Sequence, residues 1–459
     1  MTILQDKIKE VPGLAFVTEE MELMSSAGRR RMLEQPLLTS PIDLEAEQQV
    51  VATLRRLMSD AQYAHPLTVL RHQLMQLHDI HTTLGHLHSH FMLDEVELFE
   101  IKNLAFLCGN SRKALADMQA DYLFQLPDLT EVFALLDPDH TGIPNFYIYD
   151  SYDNRLTPLR QQMKQADDKL MGDLLAEQND IQQAVIARLC DHLHPFSASL
   201  TLALEQLAYI DFALARATLA QQWKLQKPDN AGNVPTLLGL FNPRLKQHNE
   251  KAGLRYQPVD ITLTQGVTLV TGANMAGKTV LLKSIGVAQL MYQFGFPLPA
   301  TCARMQPVDD VVFCIGDEQN EMNGLSSYAA EITRISDVLN RSEKERLLIL
   351  IDEPARTTNP VEGKALVQAI ATILQERDSI TMITTHYSQL GVDCRRLRVR
   401  GFVESLADVP LTAQTINRFI DYSLIADNSD EVPQEALRIA ELLNCHPNLI
   451  RQARHFLEP

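Results

Sequence analysis

Residues 267–279 read V-T-L-V-T-G-A-N-M-A-G-K-T, and this stretch decides the fold. Val267–Val270 is a short apolar run typical of a buried strand, and Gly272–Thr279 matches G-x-x-x-x-G-K-[ST]. A helical pattern, Val280–Gln293, follows. Glycines let a backbone wrap around phosphate oxygens, and the N–H groups of the loop and of a helix N-terminus face negative charge. Strand, loop and helix in this order predict a phosphate-binding loop.

Polar and charged side chains in the loop and at the end of a second strand extend this prediction. Lys278 should reach the β- and γ-phosphates of ATP, and Thr279 should bind Mg²⁺. The apolar run Leu347–Ile351 ends in Asp352 and Glu353, for which we expect roles in the Mg²⁺ shell and in polarising the attacking water. The alternative is a strand-end cap with a solvated neighbour. Because the pair follows a phosphate-binding loop, we favour the catalytic interpretation and predict ATP and Mg²⁺ as cofactors.

A histidine follows the next strand. The run Ile380–Thr385 leads directly into His386. Ligands of open α/β sheets bind at the carboxyl ends of the strands, so His386 could sense the γ-phosphate. A single histidine in such a place is more often structural, and both interpretations stay open.

The chain changes character near residue 230. Before it the pattern is helical, whereas afterwards short β-branched runs, including Val311–Ile315, alternate with helices. This alternation is typical of a parallel sheet covered on both faces. Lys227–Pro235, rich in Pro, Asn, Asp and Gly, is the predicted linker. We predict an α/β P-loop NTPase domain, ABC-like and with a mostly parallel sheet, preceded by an all-α domain.

Two long apolar stripes precede the linker. They predict helices from about Tyr152 to Leu193 and from about Ser199 to Trp223, with the turn at His194–Pro195. The pattern favours an antiparallel hairpin whose first arm extends roughly 60 Å. The alternative is that both stripes are buried in a compact helical core.

Composition limits the partners and the location. The formal net charge is −17. Such a negative charge repels the phosphates of nucleic acid. The six cysteines lack C-x-x-C spacing, which indicates neither a zinc knuckle nor a disulfide framework. We find no apolar signal-peptide core at the N-terminus, and no segment approaches eighteen continuous apolar residues. We expect a soluble cytoplasmic protein without a membrane partner.

Four motifs together resemble the ATPase domain of the MutS family. They are T-G-A-N-M-A-G-K-T at 271–279, I-G-D-E-Q-N-E-M-N-G-L-S-S-Y-A-A-E-I at 315–332, L-I-D-E-P-A-R-T-T-N-P-V-E-G at 350–363 and T-T-H-Y at 384–387. Their order and spacing match the family across about Leu254–Leu390. The G-D-E-Q and N-P-x-E-G stretches are similar to the second MutS subfamily, which is linked to recombination.

The resemblance implies further roles in the nucleotide site. Asn274 would contact phosphate beside Gly272 and Gly277, and Val280 would open the helix that holds the nucleotide. Tyr256 matches the aromatic residue that stacks on adenine. Ser326 matches the serine that reaches the γ-phosphate bound by a partner subunit. That role implies composite sites in a homodimer, or in a heterodimer with a paralogue.

The resemblance also predicts four segments. These are a MutS-like helical core at 1–150, a truncated lever hairpin without a clamp at 151–230, the P-loop ATPase domain at 231–430 and a helical dimerisation arm at 431–459. We expect a chain without the mismatch-recognition, clamp and nuclease-like domains of the family.

Three features depart from the family. Ala276 replaces the usual second glycine of the loop, which could slow turnover. Ala355–Thr358 replaces a Gly-x-Gly-Thr turn, which puts the conformation of that turn in doubt. The hairpin tip is acidic, because Gln161–Leu200 carries six Asp or Glu residues against three Lys or Arg residues. Such a tip is unsuited to gripping phosphates.

Histidines crowd one stretch between His72 and His90. His78 with His81, and His86 with His90, share helical faces, so a metal site is conceivable. We favour a histidine-rich surface because no cysteine lies nearby.

Three functions compete. The resemblance implies a clamp that uses ATP to close a dimer on mismatched or branched DNA in repair or recombination. The alternative is a DNA-independent protein-remodelling ATPase, for example one that reactivates a cobalamin-dependent aminomutase, which the acidic charge and the missing clamp favour. A nucleotide-binding scaffold without turnover is opposed by the intact Lys278, Thr279, Asp352 and Glu353.

Overall fold

The computed structural model describes most of the chain in several segments. They are residues 2–230, 232, 234–272, 277–316, 327–356, 358–402, 416–427, 437, 440–441 and 445–457.

Eleven helices precede the first strand in the described residues. They are α1 (Leu4–Glu10), α2 (Pro12–Glu19), α3 (Ser26–Leu33), α4 (Pro41–Met58), α5 (Ala64–Met75), α6 (His81–His88), α7 (Glu95–Asp117), α8 (Thr130–Leu136), α9 (Leu156–Met163), α10 (Asp168–Leu193) and α11 (Ser197–Gln222). Local sequence explains several starts. Ser40 caps α4, whose first residue is Pro41, and Asp94 forms a reciprocal capping box with Glu97 at α7, an arrangement that satisfies N–H groups otherwise left without partners.

The first predicted lever helix is interrupted near its N-terminal end. The first does not run continuously from 152, because α9 ends at Met163 and α10 begins at Asp168. Asp167 caps α10 by accepting a hydrogen bond from the Leu170 N–H, and an Asp cap of this kind starts a new helix. At 1.5 Å per residue, α10 is about 39 Å long, shorter than the predicted arm.

The hairpin turn lies where the sequence predicts it. A single turn of 3-10 helix, His194–Phe196, joins α10 to α11. α11 packs against α3, α4, α6 and α7 and is buried over most of its length. Its stripe therefore supports the alternative of burial in a helical core. Within the described residues, Lys169–Gln222 is apolar and long enough to cross a membrane by length and composition, but 61% of its most apolar window is buried inside the protein.

Nine strands form two sheets in the described residues. They are β1 (Thr236–Leu240), β2 (Val259–Thr262), β3 (Gly266–Thr271), β4 (Cys302–Arg304), β5 (Asp310–Cys314), β6 (Leu347–Asp352), β7 (Ile380–Thr384), β8 (Arg395–Phe402) and β9 (Ile420–Ala426). The order β2-β1-β4 forms a small antiparallel sheet. The order β5-β6-β7-β3-β8-β9 forms the main sheet, parallel except for β9. Helices with a mostly parallel sheet agree with the predicted α/β class.

Helices cover both faces of the main sheet. They are α13 (Lys278–Gln293), α14 (Ser327–Arg341) and α15 (Pro360–Gln375), whereas α12 (Pro243–Lys251) packs on α2 and α16 (Pro447–Leu457) is the last helix described. One apolar cluster joins α13 to one face, and a second joins α14 and α15 to the other. Side chains of β6 alternate between the two clusters, since Leu348 and Leu350 lie in the first and Ile349 and Ile351 in the second. Burial on both faces explains why the strand is apolar throughout.

The second helix packs on α13 and the first packs on the second, and both belong to the cluster around α13 and not to the helical core. Leu4, Leu14 and Val17 share a buried cluster with Ile285. A Cβ atom on Gly13 would lie 2.7 Å from Val287 Cγ2, so only glycine allows this close approach. The predicted 1–150 segment thus contributes its first helices to the core around the P-loop helix, and its boundary at 150 stays a prediction, as do those at 230 and 430.

The predicted linker is paired with the α/β part over its first residues. Gln226 exchanges backbone hydrogen bonds with Leu298, and the Asp229 N–H donates to the Ala303 carbonyl. These bonds tie 226–229 to Leu298 and to Ala303 within β4, so this part of the linker has a defined path.

Candidate functional site

Three adjacent strands bring the predicted catalytic residues to one edge of the main sheet. β7 lies between β6 and β3, with Asp352 and Val270 both in register with Thr384. The residues that follow these strands therefore meet at the carboxyl edge, where ligands of open α/β sheets bind.

The phosphate-binding loop has the glycine conformations that its function requires. Gly272 has a φ of 140° and Gly277 a φ of 73°, values that residues with a Cβ atom rarely adopt. Gly277 is the N-cap of α13, so the N-terminus of this helix faces the loop. Asn274 and Ala276 lie outside the described residues.

Lys278 is held inside the site. Its side chain is 4% exposed, and its Nζ donates to the Gly272 carbonyl at 2.8 Å and lies 3.4 Å from Glu353 Oε1. A buried ammonium must have polar partners, because desolvation without them is costly. The loop carbonyl and the catalytic candidate therefore position the lysine together.

The predicted metal-binding pair is in direct contact. Thr279 Oγ1 donates to Asp352 Oδ2 at 2.6 Å, and Thr384 Oγ1 donates to Asp352 Oδ1 at 2.6 Å. Both oxygens of the carboxylate are thus oriented by hydroxyl groups. Hydroxyl and carboxylate oxygens are the hard ligands that Mg²⁺ prefers, so this donor set fits the predicted ion.

Glu353, which directly follows β6, has a strained backbone conformation. Its φ is 45°, an uncommon value for a residue with a side chain. Its N–H donates to the Thr384 side-chain oxygen at 2.9 Å, and its Oε2 lies 3.8 Å from the exposed Arg356 guanidinium. Strain held by surrounding bonds is typical of functional positions.

The turn that departs from the family pattern is anchored by two residues that lie in the quoted motifs but had no assigned role. Ala355 has a φ of 59°. Its N–H donates to Glu331 Oε1 at 2.9 Å, and its carbonyl accepts a bond from the Tyr387 hydroxyl at 3.4 Å. Glu331 and Tyr387 thus define the turn in place of glycine, and only a three-dimensional contact identifies them. Thr357 lies outside the described residues.

His386 lies at the predicted edge. It follows β7 and is exposed, and its ring packs against Tyr387 with centroids 4.3 Å apart. Its role as a phosphate sensor stays a prediction.

Two tyrosines flank the start of α13. The Tyr256 hydroxyl accepts a bond from the Asn242 N–H at 2.7 Å, and the Asn242 side chain donates to Ser284 on α13. Tyr422 on β9 was not predicted, and a Cβ atom on Gly277 would lie 3.1 Å from its ring. Burial raises the pKa of both hydroxyl groups. Val280 lies in the first turn of α13.

Two further predictions have different outcomes. Ser326 lies outside the described residues, and α14 begins at Ser327.

Among the histidines, His86 Nδ1 lies 2.7 Å from Glu97 Oε1, and the rings of His90 and His194 stack with centroids 3.5 Å apart. No group of three or more His, Cys, Asp or Glu side chains in the described residues could hold a metal ion, so the structure gives no support to a histidine metal site.

Comparison with known proteins shows what the chain is similar to. A family model described as MutS domain V matches residues 268–458. Relatives called Endonuclease MutS2 are 34% identical over 221 residues in Agathobacter rectalis, 31% over 293 in Symbiobacterium thermophilum and 32% over 239 in Enterococcus faecalis. Residues 268–458 thus match MutS domain V, and these findings support a MutS-family protein.

The similarity to MutS2 proteins covers part of each molecule. The matches span 48%, 62% and 50% of this chain and 27%, 35% and 29% of the three relatives. The chain thus spans about a third of the length of the curated relatives it matches. The MutS domain V match places it in a family of P-loop ATPases, and the predicted resemblance to the second MutS subfamily is confirmed.

Proposed function

We propose that this chain binds ATP with Mg²⁺ and hydrolyses it. The observation that carries the proposal is the hydrogen bond from Thr279 to Asp352, which joins the phosphate-binding loop to the acidic end of β6. This contact joins two segments that lie 73 residues apart in sequence, and it supports the arrangement that phosphoryl transfer needs.

Each residue has a proposed role. Loop N–H groups around Gly272, Asn274 and Gly277 bind phosphate oxygens. Lys278 neutralises charge on the β- and γ-phosphates. Bound Mg²⁺ supplies charge stabilisation of the phosphates, and Thr279 with Asp352 holds it.

The remaining roles concern the attacking water, the γ-phosphate and the adenine. Glu353 orients and polarises the attacking water, and its strained backbone fixes that orientation. His386 senses the γ-phosphate from the edge of the sheet. Tyr256 contacts the adenine, and Val280 contributes the first turn of α13.

Nucleotide binding is tested with Lys278→Ala and its conservative partner Lys278→Arg. Titration with a fluorescent ATP analogue should show at least about tenfold weaker binding by the alanine variant, because a charge-assisted contact to phosphate is lost. The arginine variant should recover part of the affinity. Unchanged affinity in Lys278→Ala would reject the loop as the nucleotide site.

We also propose a dimer with composite sites, in which Ser326 completes the site of the partner subunit. Mixing inactive Lys278→Ala with inactive Ser326→Ala should restore activity, because one site of the mixed dimer then has both an intact loop and an intact serine. A mixture that stays inactive, or a Ser326→Ala variant that is fully active alone, would contradict composite sites.

We propose that the ATPase cycle, in the cytoplasm, opens and closes this dimer on a macromolecule. Mismatched or branched DNA is the partner that the family implies. We expect weak binding, because α10 and α11 are joined directly by His194–Phe196 and the chain carries a net charge of −17, which disfavours phosphate contacts.

The direct junction of α10 and α11 also supports a second candidate, an ATPase that remodels a protein. Titration with perfect duplex, mismatched and branched DNA at about 50 mM and about 200 mM salt separates the two candidates. Tight binding with a steep salt dependence would support DNA as the partner. Weak binding to all three DNAs, which we expect, would count against DNA as the partner and leave the protein candidate.

A further inference from the structure

An apolar surface with an acidic rim lies at the end of the helical hairpin. Phe91, Met92 and Val96 are 62%, 58% and 64% exposed. Together with the buried side chains beneath them they line two adjoining grooves of about 720 and 110 Å³ between the α6–α7 loop and α10. We call this the tip surface and define it by residues 86–97 and 183–194.

The backbone of the tip surface is fixed although its apolar side chains are exposed. The Phe91 N–H donates to the His86 carbonyl, and His90, with a φ of 56°, stacks on His194 of the hairpin turn. His194 Nδ1 lies 3.1 Å from the Leu87 carbonyl oxygen, and the Leu93 N–H donates to Cys190 Sγ. The loop therefore presents Phe91 and Met92 to solvent from a defined position.

Fixed, exposed apolar side chains suit recognition. Aromatic residues and methionine dominate the centres of protein interfaces, and methionine adapts to partners of different shape. Because the loop is already ordered, a partner would lose little conformational entropy of this protein on binding.

The rim of the tip surface is acidic. Asp94, Glu95, Glu97 and Asp191 line the grooves, and no Lys or Arg is among their lining residues in the described part of the chain. Glu95 and Asp191 are exposed, whereas Glu97 is bound to His86 and to the Asp94 N–H. The nearest Lys or Arg along α10 is Arg188, which donates to the Tyr152 carbonyl.

We propose that the tip surface binds a basic amphipathic segment of a protein partner. Its apolar face would cover Phe91, Met92 and Val96, and its Lys or Arg residues would face the acidic rim. An amphipathic helix in an apolar groove is an established binding mode, and complementary charge steers the encounter. Nucleic acid does not fit, because its phosphates would face this rim.

The test uses the full chain and a defined probe, a fluorescein-labelled helix of lysine and leucine with its leucines on one face. Comparison probes are a scrambled peptide of the same composition, a glutamate–leucine helix and labelled duplex DNA. Binding is followed by fluorescence anisotropy.

Two pairs of variants locate the binding. Phe91→Ser with Met92→Ser removes the apolar contacts, and Ile42→Ser, at a side chain 81% exposed on α4, is its control. Glu95→Lys with Asp191→Lys reverses the rim, and Asp117→Lys with Glu376→Lys, at exposed positions elsewhere, gives the same change of net charge. Circular dichroism checks that each variant folds.

The proposal predicts that both tip variants bind the lysine–leucine helix at least about tenfold more weakly, while both controls stay within about twofold of the wild type. Equal loss in the controls, or equal affinity for the scrambled or glutamate–leucine peptide, would overturn it. DNA binding that falls in the Phe91→Ser, Met92→Ser variant would also overturn it. ATP hydrolysis is measured separately, so failure here leaves the proposed ATPase function unaffected.

Discussion

Thr279 at the start of α13 donates a hydrogen bond of 2.6 Å to Asp352 at the end of β6. Thr384, at the end of β7, donates to the other oxygen of the same carboxylate. The main sheet thus holds the oxygen ligands of the proposed Mg²⁺ site in one position. Preformed ligands need little reorganisation when they bind an ion or a phosphate group.

This contact predicts a difference between two substitutions of Thr279. Thr279→Val keeps the shape but removes the hydroxyl, so kcat for ATP should fall at least about 100-fold, with a higher Mg²⁺ requirement. Thr279→Ser keeps the hydroxyl and should retain most activity. Phosphate release measured across a Mg²⁺ titration checks this, and equal activity of the two variants would exclude the hydroxyl as a ligand.

Gly277 should tolerate no side chain. Gly277→Ala adds backbone strain at a φ of 73° and a contact 3.1 Å from the Tyr422 ring, so nucleotide affinity should fall at least about tenfold. Gly253→Ala is a matched control, because its φ is 65° and its Cβ would meet no atom within 4 Å. ATP titration of both variants, with Tm measured alongside, separates strain from contact. Normal affinity in Gly277→Ala would contradict the close packing of β9 on the loop.

Glu331 should position the turn after Glu353 without contacting nucleotide. Glu331→Ala removes the acceptor for the Ala355 N–H, so kcat should fall about tenfold while KM for ATP changes little. Glu331→Gln retains the acceptor oxygen and should restore kcat. Steady-state kinetics of the three proteins provide the check, and equal loss in both variants would point to a role for the negative charge instead.

The helical core should lose stability in acid through Asp137. Burial raises the pKa of this carboxyl, but bonds from Thr141, the Gly142 N–H and Lys102 outweigh burial and hold the pKa at about 2. The folded pKa lies below the ordinary value of about 3.9. The carboxylate therefore stabilises the fold above about pH 4, and this contribution is lost as the pH falls towards about 2.

Removing one of those bonds should shrink that contribution. Thr141→Val should raise the folded pKa of Asp137 toward its unfolded value, so the variant should be less stable than the wild type at about pH 5 and should lose less stability as the pH falls to about 3. Thr201→Val, whose hydroxyl donates to a backbone carbonyl, is the control. Denaturant unfolding between about pH 5 and about pH 3 measures the effect, and superimposable profiles of Thr141→Val and the wild type would contradict it.

Local signals in the sequence predict much of the fold and the site. Val267–Val270, Leu347–Ile351 and Ile380–Thr384 are apolar runs, and each lies within a strand of the main sheet. The spacing of Lys278 and Thr279 within the loop follows from phosphate chemistry. These features depend on residues close in sequence, so periodicity and motif spacing suffice to find them.

Contacts between distant segments could not be predicted. The packing of Gly13 on Val287, the bond from Ala355 to Glu331 and the approach of Tyr422 to Gly277 each join residues far apart in sequence, and no motif says which of these residues touch. The break before α10 was missed for a different reason, since the apolar stripe continues through 164–167 although the Asp167 cap starts a new helix.

The most direct test of the ATPase proposal is the rate of phosphate release from saturating Mg²⁺-ATP by Glu353→Ala, together with its affinity for ATP. Glu376→Ala, at an exposed acid, is the control. We predict that Glu353→Ala binds ATP at least as tightly as the wild type. Without the carboxylate, the Lys278 ammonium has no ion pair with residue 353 and can interact fully with the phosphates. Its hydrolysis should fall at least about 100-fold, because no base polarises the water. Hydrolysis at the wild-type rate would contradict the proposed role of Glu353.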